Sequence, residues 1–184
     1  KGSRFIKSGV KPPKPLIKVH GEELLIWSMR SFNILEGDKI YIASQRDHKC
    51  KKILSKKLER LYFGVKLSWL EIDYLPNGQL LTAIKAIKAL KISGELIIHN
   101  CDTSFNSNFK FNNYFKENED IYALIPTFKS EGNHWSFIKN YSSSKKIKEI
   151  KEKKRISSNC SIGTYFFRSS QAFYKDALDY SNSF

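Results

Sequence analysis

Lys39-Ile40-Tyr41-Ile42-Ala43-Ser44 is a compact run of β-formers, and the chain beyond it places His48, Cys50, Ile53, Leu54, Leu58 and Leu61 at helical intervals among lysines. This reads as a strand followed by an amphipathic helix, and the unit recurs downstream. Lys66 to Ile72 reads as strand, Pro76-Asn77-Gly78 as a turn, and Leu80, Leu81, Ile84, Ile87 and Leu90 as an apolar stripe, with Lys85, Lys88 and Lys91 opposite. Glu95 to His99 is a third β-type run, ending at Asn100-Cys101-Asp102, and Ile121 to Phe128 is a fourth. Strands alternating with helices predict an α/β domain with a mostly parallel sheet covered on both sides.

Upstream, Gly9, Pro12, Pro13 and Pro15 forbid a regular helix and mark a loop. Leu16 to Val19 is a short apolar run that reads as strand, and after Gly21 the segment from Glu22 to Phe32 reads as a helix with acidic residues leading and Arg30 following. Toward the other end the rhythm changes. Trp135 to Tyr141, Lys145 to Glu152 and Cys160 to Phe167 are strand-like with no helix between them, which predicts an antiparallel meander or lid. Ser169-Ser170 then caps a last helix carrying Ala172, Phe173, Ala177, Leu178 and Tyr180.

With 184 residues, 41% of them hydrophobic, the chain can bury one sizeable core, so residues 1–184 are expected to form a single domain. An aromatic share of 14% sets it apart from chains too polar to fold. The formal charge of +14 favours anionic partners without choosing among nucleic acid, membrane surface and nucleotide, and a lysine-favouring codon bias accounts for it equally well. The three cysteines lack paired spacing, as a reduced intracellular protein would. No uninterrupted apolar run of about 18 residues and no signal-peptide h-region is present, so the expectation is a cytoplasmic chain with no membrane partner.

Two places carry possible chemistry. Gly2, Ser3 and Arg4, followed by Lys14 between prolines, suit a triphosphate: glycine lets backbone N–H groups approach phosphate oxygens, arginine clamps two of them, and lysine adds a compact charge. A solvated basic terminus has the same composition. Asp102, just beyond an apolar strand, sits where open α/β sheets bind ligands, and its hard oxygens suit Mg2+ bridging to phosphate. A turn or helix cap is the alternative role for it.

Gly2-Ser3-Arg4-Phe5 and Pro13-Lys14-Pro15-Leu16-Ile17-Lys18-Val19-His20-Gly21 resemble the signature G-x-G-[ST]-R…P-K-P-L-[IV]-x-[VI]-x-G of the sugar-phosphate nucleotidyltransferase family, whose members include glucose-1-phosphate thymidylyltransferases and capsule and surface-polysaccharide nucleotidyltransferases. The resemblance covers most of the chain. It implies a Rossmann-like three-layer sandwich of the GT-A-like nucleotidyltransferase type, with an antiparallel extension on the acceptor side. Carried over by position, Gly2, Ser3 and Arg4 would hold the NTP phosphates and Lys14 would steer the α-phosphate. Asn100-Cys101-Asp102 is similar to the family's [GN]-x-D element, whose aspartate binds the catalytic metal. Pro76-Asn77-Gly78-Gln79 resembles its nucleobase loop, which assigns base contacts to Gly78 and Gln79, although a plain helix-entry turn uses the same residues.

Trp135-Ser136-Phe137-Ile138-Lys139, Glu152-Lys153, Ser158-Asn159 and Gly163-Thr164-Tyr165-Phe166 are similar to the acceptor half of that family. There Trp135 and Glu152 would contact the acceptor and Lys153 its phosphate, while a charged exposed strand is the plain reading of 151–154. The family's leading Ala-Gly and first strand do not precede Lys1, and its second metal-binding aspartate has no counterpart before Phe184, so the expectation is a domain truncated at both ends. The implied activity is Mg2+-dependent transfer of NMP from an NTP, CTP among the candidates, to a sugar 1-phosphate or similar acceptor in surface-polysaccharide precursor synthesis. The rivals are a glycosyltransferase, which would normally show Asp-x-Asp, a basic nucleic-acid binder, and a non-catalytic relative.

Overall fold

The computed structural model describes residues 12–74, 76–106 and 111–183. Strand β1 (Lys18–Val19) turns back onto β2 (Glu22–Glu23) through His20 and Gly21, both at positive φ, the tight hairpin geometry that glycine favours. Helix α1 (Leu24–Met29) follows directly and buries Leu25, Ile26 and Met29. The segment predicted as one helix from Glu22 is therefore split, because Glu22 and Glu23 pair with β1 and turn toward Lys57.

β3 (Lys39–Gln45), α2 (Cys50–Leu61) and β4 (Lys66–Ile72) form the expected strand–helix–strand unit, with β3 and β4 parallel in the register Lys39↔Lys66 through Gln45↔Ile72. Period-two alternation sends Ile40, Ile42, Leu67 and Trp69 to one face, against Leu25, Ile26, Met29, Leu54 and Leu58 of α1 and α2. Tyr41 and Leu70 face the other way, onto α3 (Gln79–Leu90) and α5 (Ser170–Asn182), where Ala86, Ile87, Phe173 and Ala177 are buried. Helices thus cover this pair on both sides, as the lysine-backed apolar stripes require. Ser169 accepts a hydrogen bond from the Ala172 N–H at 3.2 Å and caps α5 as expected.

The mostly parallel sheet is not what the structure shows. Among the described residues β3–β4 is the parallel pair, and the other pairings are antiparallel. β5 (Leu96–His99) pairs antiparallel with β11 (Thr164–Phe167), which also holds β6 (Ala123–Leu124). A second sheet has the order β7 (Thr127–Lys129), β10 (Asn159–Ser161), β8 (Ser136–Asn140), β9 (Ile147–Glu152).

Two predicted strands are each divided between these sheets. Pro126, which has no N–H to give a ladder, separates β6 from β7 in the run 121–128. Gly163, at φ +79°, separates β10 from β11 in the run 160–167. A short helix α4 (Phe111–Glu117), absent from the sequence reading, lies between β5 and β6. Arg168 fastens the turn after it by donating to the carbonyls of Phe115, Asn118 and Ile121 at 2.6 to 2.9 Å.

Candidate active site

Pro13 and Pro15 fix the backbone on either side of Lys14, which opens a 3-10 turn over Lys14–Leu16 closed by the Leu16 N–H on the Pro13 carbonyl at 2.8 Å. Leu16 packs on the core under α1, and so does Cys101 from the end of β5. Seating both neighbours in one core carries Lys14 to Asp102, and the ammonium and carboxylate form an ion pair. Their side chains remain 33% and 29% exposed, so the pair lies in a crevice open to solvent.

The turn before α3 reaches the same place. Gly78 holds φ +100° and precedes the first residue of α3, Gln79, whose Nε2 donates to Asn100 Oδ1 at 3.1 Å. Asn100 is pressed from the other side by Gly163: a Cβ there would lie 2.4 Å from Asn100 Nδ2. Lys14, Gln79, Asn100, Asp102 and Gly163 therefore converge from four separate segments on the end of β5.

His99, which the sequence reading passed over, organises this end. Its Nε2 bonds to the Thr103 carbonyl at 2.9 Å and its Nδ1 to Thr164 Oγ1 at 2.7 Å. A carbonyl only accepts, so Nε2 carries the proton and Nδ1 accepts from the threonine hydroxyl. Burial, partly opposed by the Thr103 carbonyl, Asp102 and the Ser28 backbone, pushes the His99 pKa down. Phe32 and Phe105 meet the imidazole edge-on at 4.9 and 5.8 Å. The one signal of this role in the sequence is a histidine closing an apolar strand directly before Asn-x-Asp. Cys101 is no nucleophile: burial first, and Asp102 next, push its thiol up to about 11.

The acceptor-side residues gather elsewhere, at the open end of the β8–β9 ladder. The Lys153 N–H donates to the Trp135 carbonyl at 2.9 Å, Glu152 accepts from the Ser136 hydroxyl, and the Lys153 ammonium lies 3.4 Å from Glu152. The Trp135 ring packs edge-on against Phe128 at 5.0 Å and beside His134 at 4.4 Å. Trp135, Glu152 and Lys153 thus gather at the end of the β8–β9 ladder, which belongs to a different sheet from β5, the strand that precedes Asp102. Gly2, Ser3 and Arg4 lie outside the described residues.

Asp102 is a single carboxylate; among the described residues no group of three His, Cys, Asp or Glu side chains could hold a metal. That donor set fits Mg2+, which commonly takes one or two carboxylates and completes its shell with water and substrate phosphate. An open depression of about 460 Å3 bordered by Tyr74, Asn77, Leu81 and Lys85 lies at the seam of α3 and α5, and neither Lys14 nor Asp102 lines it. Among the described residues no helix is long and apolar enough to cross a membrane.

No family model matches the chain, and neither does any curated protein. Solved structures do. Over 97% of its length the chain matches the nucleoside-diphosphate-sugar pyrophosphorylase from Vibrio cholerae RC9, with a TM-score of 0.81 at 24% identity and 74% of that chain covered. The inositol-1-phosphate CTP transferase from T. maritima matches 95% of the chain at a TM-score of 0.70 and 16% identity, with 68% of that chain covered. A UDP-glucose pyrophosphorylase complexed with UDP-glucose matches 96% at 0.69 and 13% identity, with 81% of that chain covered. At these identities the likeness is one of fold.

Proposed function

We propose that this chain, which has the fold of nucleotide-sugar pyrophosphorylases and related nucleotidyltransferases, transfers NMP from an NTP to a small phosphorylated acceptor and releases pyrophosphate. The observation that carries the reading is the ion pair of Lys14 and Asp102, two groups far apart in sequence that the fold brings to one strand end. In the reaction an acceptor phosphate oxygen attacks the α-phosphorus, a new P–O bond forms, and the bond to the β-phosphate oxygen breaks. An acceptor phosphate is already anionic near neutral pH, so the protein need supply no general base; positioning and charge neutralisation carry the rate.

Lys14 steers the α-phosphate, and Gly2, Ser3 and Arg4 hold the β- and γ-phosphates. Gly78 and Gln79 read the base, while Trp135, Glu152 and Lys153 hold the acceptor. Asp102 would hold Mg2+, which supplies charge neutralisation on the phosphates. Residues 1–184 act as one nucleotidyltransferase domain in the cytoplasm, and the acceptor class is a sugar 1-phosphate or similar ester for surface-polysaccharide precursors.

The test is pyrophosphate release with each of four NTPs, CTP included, against a panel of sugar 1-phosphates and other small phosphate esters. Turnover with one pair, lost in Asp102→Asn, supports the reading. No release with any pair, together with oligonucleotide binding that weakens steeply with salt, would replace it with the nucleic-acid binder that the +14 charge also suits.

A further inference from the structure

β9 is the outer strand of its four-stranded sheet, and among the described residues β8 is its one strand partner. Ile147, Lys148, Ile150, Lys151 and Glu152 are exposed and Glu149 is half-buried. The Lys153 N–H bonds to Trp135 across the β8–β9 ladder, which sets the phase. In an antiparallel ladder hydrogen-bonded pairs alternate, so from Glu149 to Lys153 the odd-numbered residues turn their backbone groups toward β8 and Ile150 and Glu152 turn theirs outward, while Lys148 is the extra residue of a bulge where the register shifts opposite Lys139 and Asn140. Such a row of N–H and C=O groups is a template for another strand.

The side chains along this edge are self-complementary. With a second copy laid antiparallel and Ile150 opposite Ile150, Glu149 faces Lys151, a pair occurring twice about the two-fold axis, and Lys148, at the bulge, comes beside Glu152. Moving the register so that Glu149 meets Glu149, or Lys151 meets Lys151, sets like charges together. Moving it by one residue opposes outward backbone groups to inward ones. The centred register also continues the Ile138–Ile150 cross-strand pair into a row of four isoleucines and covers Ile150, which is 46% exposed. We propose that β9 pairs with β9 of a second copy of this chain, joining two four-stranded sheets into one antiparallel sheet across a two-fold axis. The pairing needs no turnover of an NTP, but it brings Lys148 of the second copy beside Glu152, one of the residues proposed above to hold the acceptor.

Sedimentation equilibrium of the chain tests it, with a mass twice 21.4 kDa expected. Glu149→Lys and Lys151→Glu each place like charges opposite one another at two positions and weaken the dimer roughly tenfold or more. An equimolar mixture of the two variants, and the double variant carrying both changes, restores opposite charges and association. Lys148→Glu, which sets a like charge beside Glu152, provides a second disruptive variant, and circular dichroism matching the wild type shows that each variant is folded. A wild-type monomer throughout the micromolar range, single variants that associate like the wild type, or a double variant that does not recover would overturn the proposal.

Discussion

Gln79 donates a hydrogen bond to Asn100 at 3.1 Å, tying the turn that starts α3 to the end of β5 across 21 positions of sequence. That bond and the Lys14–Asp102 ion pair lie at the same strand end, two residues apart on the chain.

Lys14→Ala and Asp102→Asn should each lower kcat for pyrophosphate release by roughly 10²–10³-fold, the effect of removing one aligned electrostatic group. Both side chains are about one-third exposed, so thermal melts should change little. Loss of activity accompanied by a large drop in melting temperature would instead assign the pair a structural role.

Gln79→Ala should raise the KM for the NTP roughly fivefold and leave kcat nearly unchanged, the equivalent of one hydrogen bond of about 1 kcal/mol. Steady-state kinetics at saturating acceptor read the two constants separately. An equal fall in kcat would place Gln79 on the reacting phosphates rather than on the base.

Gly163→Ala should destabilise the protein by about 1–3 kcal/mol, because φ is +79° and the new methyl would fall 2.4 Å from Asn100 Nδ2. Removing that amide with Asn100→Ala relieves the clash but not the backbone term. Urea unfolding of the four-member cycle should therefore show a coupling of more than about 0.5 kcal/mol, and strict additivity would mean that Asn100 had already moved aside.

Burial raises the Glu23 carboxyl, but the Lys57 hydrogen bond at 2.6 Å and the charges of Lys57 and Lys18 outweigh it, leaving a pKa below the ordinary value. A carboxyl depressed in the folded state contributes stability that is complete above its unfolded value of about 4.3 and drains away as pH falls through the folded value. Lys57→Met leaves only Lys18, at 3.8 Å, and a backbone hydrogen bond to oppose that burial. Stability at neutral pH should fall by about 2 kcal/mol, and that deficit should shrink as pH falls and Glu23 protonates in both proteins, as urea unfolding at neutral and acid pH would record.

The sequence spoke most clearly where contacts are local. Lys66–Ile72 and the apolar stripe of α3 were legible because side-chain periodicity depends on neighbours a few residues away. Asp102 was legible because a carboxylate closes an apolar strand, and Lys14 because prolines flank it. Sheet order was not, since the partner of β5 lies beyond residue 160 and no local pattern names it. Pro126 and Gly163 were visible as strand breakers, but their effect, sending one run into two sheets, depends on which edges are available. Helix α4 was hidden by its composition: Phe-Asn-Asn-Tyr-Phe-Lys-Glu has neither strong helix formers nor a clean stripe. The roles of His99 and Asn100 depend on partners brought together only by folding.

The passage from β10 to β11 contains just Ile162 and Gly163, so the sheet bearing Glu152 and the sheet ending at Asp102 are spliced with no slack between them. Neither can melt far without dragging on its neighbour. Amide hydrogens in β5 and β10 should accordingly exchange through a shared opening event, as members of one cooperative unit.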